Sequence, residues 1–462
     1  METAISFWPL IVLCIGIILV VVLITILRLH AFLALMLSAF VVGMLSRNLP
    51  EGGITNHFIQ AVELSMVEFG AVAGQIAWVI ALAAILGMAL TESGAAESIV
   101  SHFLKIFPTS FAPHALLLAS FILSIPVFFD TVFFLLIPIV YSMGRRITKN
   151  YVLYVLAICV GAVITHSLVP PTPGPLIMAE TLKINMGLVI TIGLATSILP
   201  AIAGLQFAIR IKDRFVVHIP ELGGEGGTEG GEPKKIPDFF VSLLPILLPV
   251  LLIVLASVIE FIQVEETVFN TFAGFIGNKN VAMLIGTAIS LWILADQKEW
   301  DFRQLEKVMQ RPLEIAGLII LITGAGGAFG AMIRHAGIGD TIQQLSGMGF
   351  EINFILLAWI ISAALKTAQG SGTVAMITTS AIMMGLLESA DQPAFHPVYI
   401  LIAIGYGSVT ISWMNDSAFW VVGKLSGFNE KQTLQSWTIT LILISVIGLM
   451  QTLLMAFLFP MV

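Results

Sequence analysis

Apolar runs long enough to cross a bilayer fill most of the chain, and the places where such a run breaks carry the information. Residues 352–364 and 374–387 are apolar on either side of Leu365-Lys366-Thr367-Ala368-Gln369-Gly370-Ser371-Gly372-Thr373. Joined, the two runs cross a bilayer once, with a cation, an amide, hydroxyls and two glycines at mid-span. Glycine weakens a helix by roughly 1 kcal/mol relative to alanine. Backbone left bare in lipid costs several kcal/mol per group, so such a stretch persists only inside protein or beside a watery cavity. The pattern predicts a discontinuous helix whose break is a binding site. Taken alone, the stretch also reads as a packed polar kink.

Taken in order, the pattern predicts spans at 6–28 and 31–46, a more polar stretch at 47–69, a small apolar run at 70–94 and an amphipathic piece at 95–105. An apolar stretch at 113–143 is interrupted at Ser124-Ile125-Pro126-Val127-Phe128-Phe129-Asp130-Thr131. The run 151–165 ends in Thr165-His166-Ser167 followed by Pro170, Pro171, Pro173 and Pro175, which cannot continue a helix. A span at 186–209 follows. Residues 210–237 are hydrophilic, basic at both ends and rich in Gly and Glu between Gly223 and Gly231, which predicts a flexible linker. The pattern then restarts: spans at 239–261 and 280–295, apolar 312–335, amphipathic 338–347, the broken helix, a span at 396–412, a break at Ile411-Ser412-Trp413-Met414-Asn415-Asp416-Ser417, and a span at 435–460.

The halves overlay. Asp130-Thr131-Val132 falls on Gly372-Thr373-Val374, Gly94 on Gly337, Glu97 on Asp340, Gly161 on Gly407 and His166 on Ser412. Duplication of this kind is a transporter signature. The expected architecture is an all-α polytopic membrane protein of two inverted-topology repeats, residues 1–212 and 238–462, joined by a cytoplasmic linker, 213–237. Most lysines and arginines then lie inside: Arg28, Arg145, Arg146 and Lys149, those of the linker, Lys298 to Arg311, Lys424 and Lys431. Outside lie Arg47, Lys105, Lys183 and Lys279, as the positive-inside rule expects. Both termini fall outside. The parity requires 70–105 and 312–347 to be re-entrant hairpins, the second with its tip at Gly324–Gly330.

Composition agrees with a membrane location: 58% of the 462 residues are hydrophobic and 11% charged. No positively charged start precedes the first span, which argues against a cleaved signal peptide. Cys14 and Cys159 read as small core residues. No basic patch with interleaved aromatics suggests nucleic acid, and no metal, nucleotide or catalytic motif is present, so no cofactor and no enzyme activity are expected.

The breaks hold the candidate chemistry. Half-helices that begin inside the membrane present N–H groups and partial positive charge, which favour anions. The expected ligand is a small carboxylate bearing hydroxyls, at Lys366, Gln369, Gly370, Ser371 and Thr373, at Gly326 and Gly327 of the glycine-rich tip, at Thr165 and His166, and at Asn415, Asp416 and Ser417. Lys366 reads either as a ligand cation or as half of an ion pair with an acid such as Asp130. Asp130, in the run Phe128-Phe129-Asp130-Thr131-Val132-Phe133-Phe134, is the candidate proton carrier, with His166 assisting; Asp130 reads equally as half of a structural ion pair, and His166 equally as a satisfied core histidine. Asp416 reads equally as a helix cap. Arg334 is expected to snorkel to the interface.

The segments Pro126-Val127-Phe128-Phe129-Asp130, Thr165-His166 with Pro170 to Pro175, Gly324-Ala325-Gly326-Gly327-Ala328-Phe329, Ala368-Gln369-Gly370-Ser371-Gly372-Thr373-Val374-Ala375 and Asn415-Asp416-Ser417-Ala418-Phe419-Trp420 resemble, in order, the motif set of the gluconate permease (gluconate:proton symporter) family. The resemblance implies an inner-membrane symporter for gluconate or related sugar acids. It also implies relatives that carry D-serine, membership of the ion-transporter superfamily and a homodimer. Another small carboxylate such as D-serine or glycerate, or sodium coupling, is the alternative; a channel fits less well because the polar residues cluster at mid-membrane. The family usually has arginine where this chain has Lys366, and often histidine where it has Trp413 and Thr172. Trp413 is expected to narrow the pocket.

Overall fold

The computed structural model describes residues 7–47, 49–50, 56–146, 150–214, 217, 219, 236–261, 268–337, 353–387, 394–414 and 416–461. Most of the expected linker, and residues 338–350 with the second amphipathic piece, lie outside that set. Among the described residues every regular element is helical, and seven helices are long and apolar enough to cross a membrane.

Two long helices pack along each other. His57–Glu92 runs 36 residues and Phe302–His335 runs 34, each about 50 Å at 1.5 Å per residue. Their N-termini are set by side-chain caps: Asn56 accepts from the N–H groups of Phe58 and Ile59, and Asp301 forms a capping box with Gln304. They run antiparallel. At one end Ala61 and Met332 both close on Gly43; further along Phe69 covers Gly324; at the other end Ala89 shares a small apolar cluster with Leu294 and Leu305. In the sequence overlay Ala89 falls on Met332 and Ala61 falls beside Leu305, so the two end contacts interchange. A two-fold relation between inverted repeats produces that interchange.

The elements that follow them in each half repeat in the same order among the described residues. Ala112–Leu123, Phe129–Arg146, Tyr151–Leu168, Pro173–Thr181 and Met186–Ile211 are matched by Phe354–Gln369, Gly372–Leu387, Val398–Gly407, Ser417–Leu425 and Glu430–Leu458. The interruptions fall where the polar breaks were expected. The long helices each end in a glycine in the left-handed region, Gly94 at φ 77 and Gly337 at φ 76, positions that the overlay also pairs.

One expectation fails. Gly324–Gly330 is not a hairpin tip; it lies within the continuous helix Phe302–His335. Its glycines serve close packing. A side chain at Gly326 would collide with Ile377, at Gly327 with Val72, and at Gly330 with Ala381. The apolar run 70–94 continues the polar stretch before it as one helix, His57–Glu92, and the turn to Ala95–Ile106 lies at Ser93-Gly94, where that run was expected to end. Two smaller expectations also change. Arg334 approaches Glu68 at 3.4 Å instead of only snorkelling, and Cys14 is exposed while Cys159 is buried.

Candidate functional site

The break in the second repeat organises the site. Gly370 ends Phe354–Gln369 at φ 80, with its N–H on the Lys366 carbonyl at 2.8 Å. A residue with a Cβ meets strain there. Helix Gly372–Leu387 starts at once, and the Ser371 hydroxyl accepts from the Val374 N–H at 3.3 Å. A cavity of about 340 Å³ opens beside this junction, lined by Gly370, Ser371, Gly372 and Thr373. That size lies within the roughly 300–1,000 Å³ of small-ligand sites.

Lys366, also on the cavity wall, is 5% exposed. Its Nζ donates to the Gly370 carbonyl at 2.7 Å and to Asp416 Oδ2 at 2.6 Å. The cation is therefore paired with Asp416, not with Asp130. Asp416 sits before helix Ser417–Leu425, and its Oδ1 accepts from the Ala418 N–H at 3.0 Å. It is both a helix cap and an ion-pair partner. Ser412 donates to its Oδ2. Trp437 Nε1 in turn donates to Ser412 Oγ at 2.9 Å, while its ring stacks on Phe129 with centroids 5.3 Å apart. That stack joins the second repeat to the residue before Asp130.

The first repeat supplies the opposite chemistry. Asp130, half-buried, lines the cavity near the start of helix Phe129–Arg146, and no described residue hydrogen-bonds its carboxylate. His166 lines the cavity too. Its buried Nδ1 has no partner among the described residues, and its ring lies 6.0 Å from that of Phe128.

Asp130, His166, Lys366, Gly370, Ser371, Thr373, Asp416 and Ser417 thus share one wall. Other expected members do not. Gly326 and Gly327 pack against Ile377 and Val72. Thr165 is buried and bonds the Gly161 carbonyl at 3.1 Å. The Gln369 side chain and Asn415 lie outside the described residues. Trp413 is 42% exposed and donates to the Thr367 carbonyl at 2.9 Å, so it braces the helix end and does not narrow the cavity. Thr172 ties its own turn, donating to the carbonyls of Val169 and His166. Sequence reasoning passed over Ser412 and Trp437. Ser412 stood within a recognised break, but nothing in the chain signalled a tryptophan 25 residues later as its partner.

The sequence profile of the GntP family permeases matches residues 8–458. The chain belongs to that family. Its members are permeases, not enzymes, and the chain is a multi-pass membrane transport protein. It is 30% identical to a gluconate permease of Pseudomonas aeruginosa over 439 residues, 94% of this chain and 95% of that one. It is 31% identical to a low-affinity gluconate transporter of Escherichia coli over 425 residues, 91% and 92% of the two chains. The fold is shared with the YdaH transporter of Alcanivorax borkumensis, at TM-score 0.60, 13% identity and coverage of 93% of this chain and 98% of that chain. The antimetabolite efflux pump MtrF of Neisseria gonorrhoeae matches at TM-score 0.63 and 16% identity, covering 97% and 95%.

Proposed function

We propose that the chain carries gluconate or a related sugar acid into the cell across the inner membrane together with protons. The supporting observation is the company Lys366 keeps: a buried cation beside a helix start, facing a cavity that also holds an acid with no hydrogen-bond partner among the described residues. The substrate carboxylate binds at Lys366 and the N–H groups at Gly372 and Thr373. Its hydroxyls bond Ser371, Thr373, Ser408 and Ser417, all on the cavity wall.

Charge explains the proton. Among the described lining residues the formal charges are Lys366, Asp130 and Asp416. With both acids ionised the site carries a net negative charge and repels an anion. A proton on Asp130 makes it neutral, so proton and anion bind together. The same proton offsets the membrane potential, against which a single charge costs about 2.3 kcal/mol per 100 mV. D-serine is the second reading, because its ammonium would find a carboxylate waiting at Asp130.

Counterflow decides between them. Proteoliposomes loaded with unlabelled gluconate should accelerate uptake of labelled gluconate, and related sugar acids should compete. If D-serine drives counterflow and no sugar acid does, the second reading replaces the first; if neither does, the assignment falls.

A further inference from the structure

We propose that Asp416 is a tethered rival of the substrate: its carboxylate occupies one Lys366 donor and neutralises the charge that would draw an incoming carboxylate, and the two compete for that cation. The inference rests on the reading that this cavity accepts a carboxylate. It adds a role for Asp416 as the residue that decides which carboxylates succeed.

An ammonium has three N–H donors. Lys366 spends one on the Gly370 carbonyl and one on Asp416 Oδ2, at 2.7 and 2.6 Å. Both side chains of the pair are about 6% exposed, and both line the cavity. The acid's other bonds do not involve the lysine. Oδ1 holds the Ala418 N–H, Oδ2 receives the Ser412 hydroxyl, and Ser412 is fixed by Trp437. Asp416 therefore stays anchored within its own turn when Lys366 turns to another carboxylate.

Two consequences follow from charge and from tethering. A third carboxylate beside one lysine is unfavourable unless a proton joins the group, so displacement of Asp416 and proton uptake become one event. A tethered group also competes at an effective concentration of about millimolar or more. A bare monocarboxylate such as acetate offers Lys366 nothing that Asp416 does not. A sugar acid brings hydroxyls for Ser371, Thr373 and Ser408, and wins through them.

The test removes the rival and keeps the cap. Asparagine caps a helix as well as aspartate does, so Asp416→Asn preserves the turn. The wild-type protein, Asp416→Asn and the double variant Lys366→Gln/Asp416→Asn are purified in detergent, and their thermal stability is followed against acetate and against gluconate. Acetate should bind Asp416→Asn at least about tenfold more tightly than the wild type, and the double variant should lose that gain. Equal acetate affinity in Asp416→Asn and wild type overturns the proposal, as does a gain that survives loss of Lys366. If Asp416→Asn does not fold, Asp416→Ser, also a cap former, takes its place. Wild-type protein that fails to bind gluconate would sink the functional reading instead; the acetate comparison still decides the competition.

Discussion

Asp130 and Asp416 line the same cavity as Lys366, yet of the two only Asp416 is bonded to that lysine. The two acids are thereby divided in role. Asp416 neutralises Lys366 and caps a helix; in the proposed function Asp130 takes the proton. Asp130→Asn should abolish accumulation driven by an imposed pH gradient while retaining counterflow, since exchange needs no net proton movement. Acid-stimulated accumulation that persists in this variant rules Asp130 out as the carrier.

Lys366 should act through its charge. Lys366→Met removes the cation and strands Asp416; breaking a buried pair costs roughly 3–5 kcal/mol. Uptake should vanish and thermal stability should fall. Lys366→Arg keeps the charge but presents a planar fork in place of a point ammonium, and should retain partial uptake. Normal transport by the methionine variant, measured with labelled gluconate, would show that no anion binds there.

The glycines of the central helix should matter for packing, not affinity. Gly330 lies against Ala381 with no room for a side chain. Gly330→Leu should destabilise the folded protein by about 1–3 kcal/mol, the usual penalty of overpacking, read as a lowered melting temperature in detergent. Protein that survives should bind gluconate with unchanged affinity. A selective loss of affinity at full stability would return this run to the binding site.

Trp437→Phe keeps a ring against Phe129 and deletes the donor to Ser412. The lost hydrogen bond should cost about 0.5–1.5 kcal/mol. A melting temperature equal to wild type would show that the Trp437–Ser412 bond contributes nothing.

The basic residues predict that the 210–237 linker is cytoplasmic and both termini are outside. A cysteine placed at position 225 should react with a membrane-impermeant reagent only after cells are permeabilised. Labelling in intact cells would reverse the topology.

The breaks were legible because a membrane leaves few reasons for glycine, lysine or proline in an apolar run. Lys366, Gly370, Asp130 and Asp416 stood out for that reason and converge on one cavity. What failed was pairing. Asp416 is 50 residues from Lys366, and no local periodicity distinguishes it from Asp130 as the partner. Glycine is ambiguous in a similar way: it permits a turn, and it lets helices approach. The run Gly324–Gly330 does the second. Gly337, which does end the helix, was visible as the mate of Gly94.

The cavity takes Asp130 and His166 from one side of the linker and Lys366, Asp416 and Trp437 from the other. Neither repeat encloses a site by itself. Either half synthesised alone is a wall without a room. Two separately encoded fragments divided at the linker would together carry every described residue of that lining.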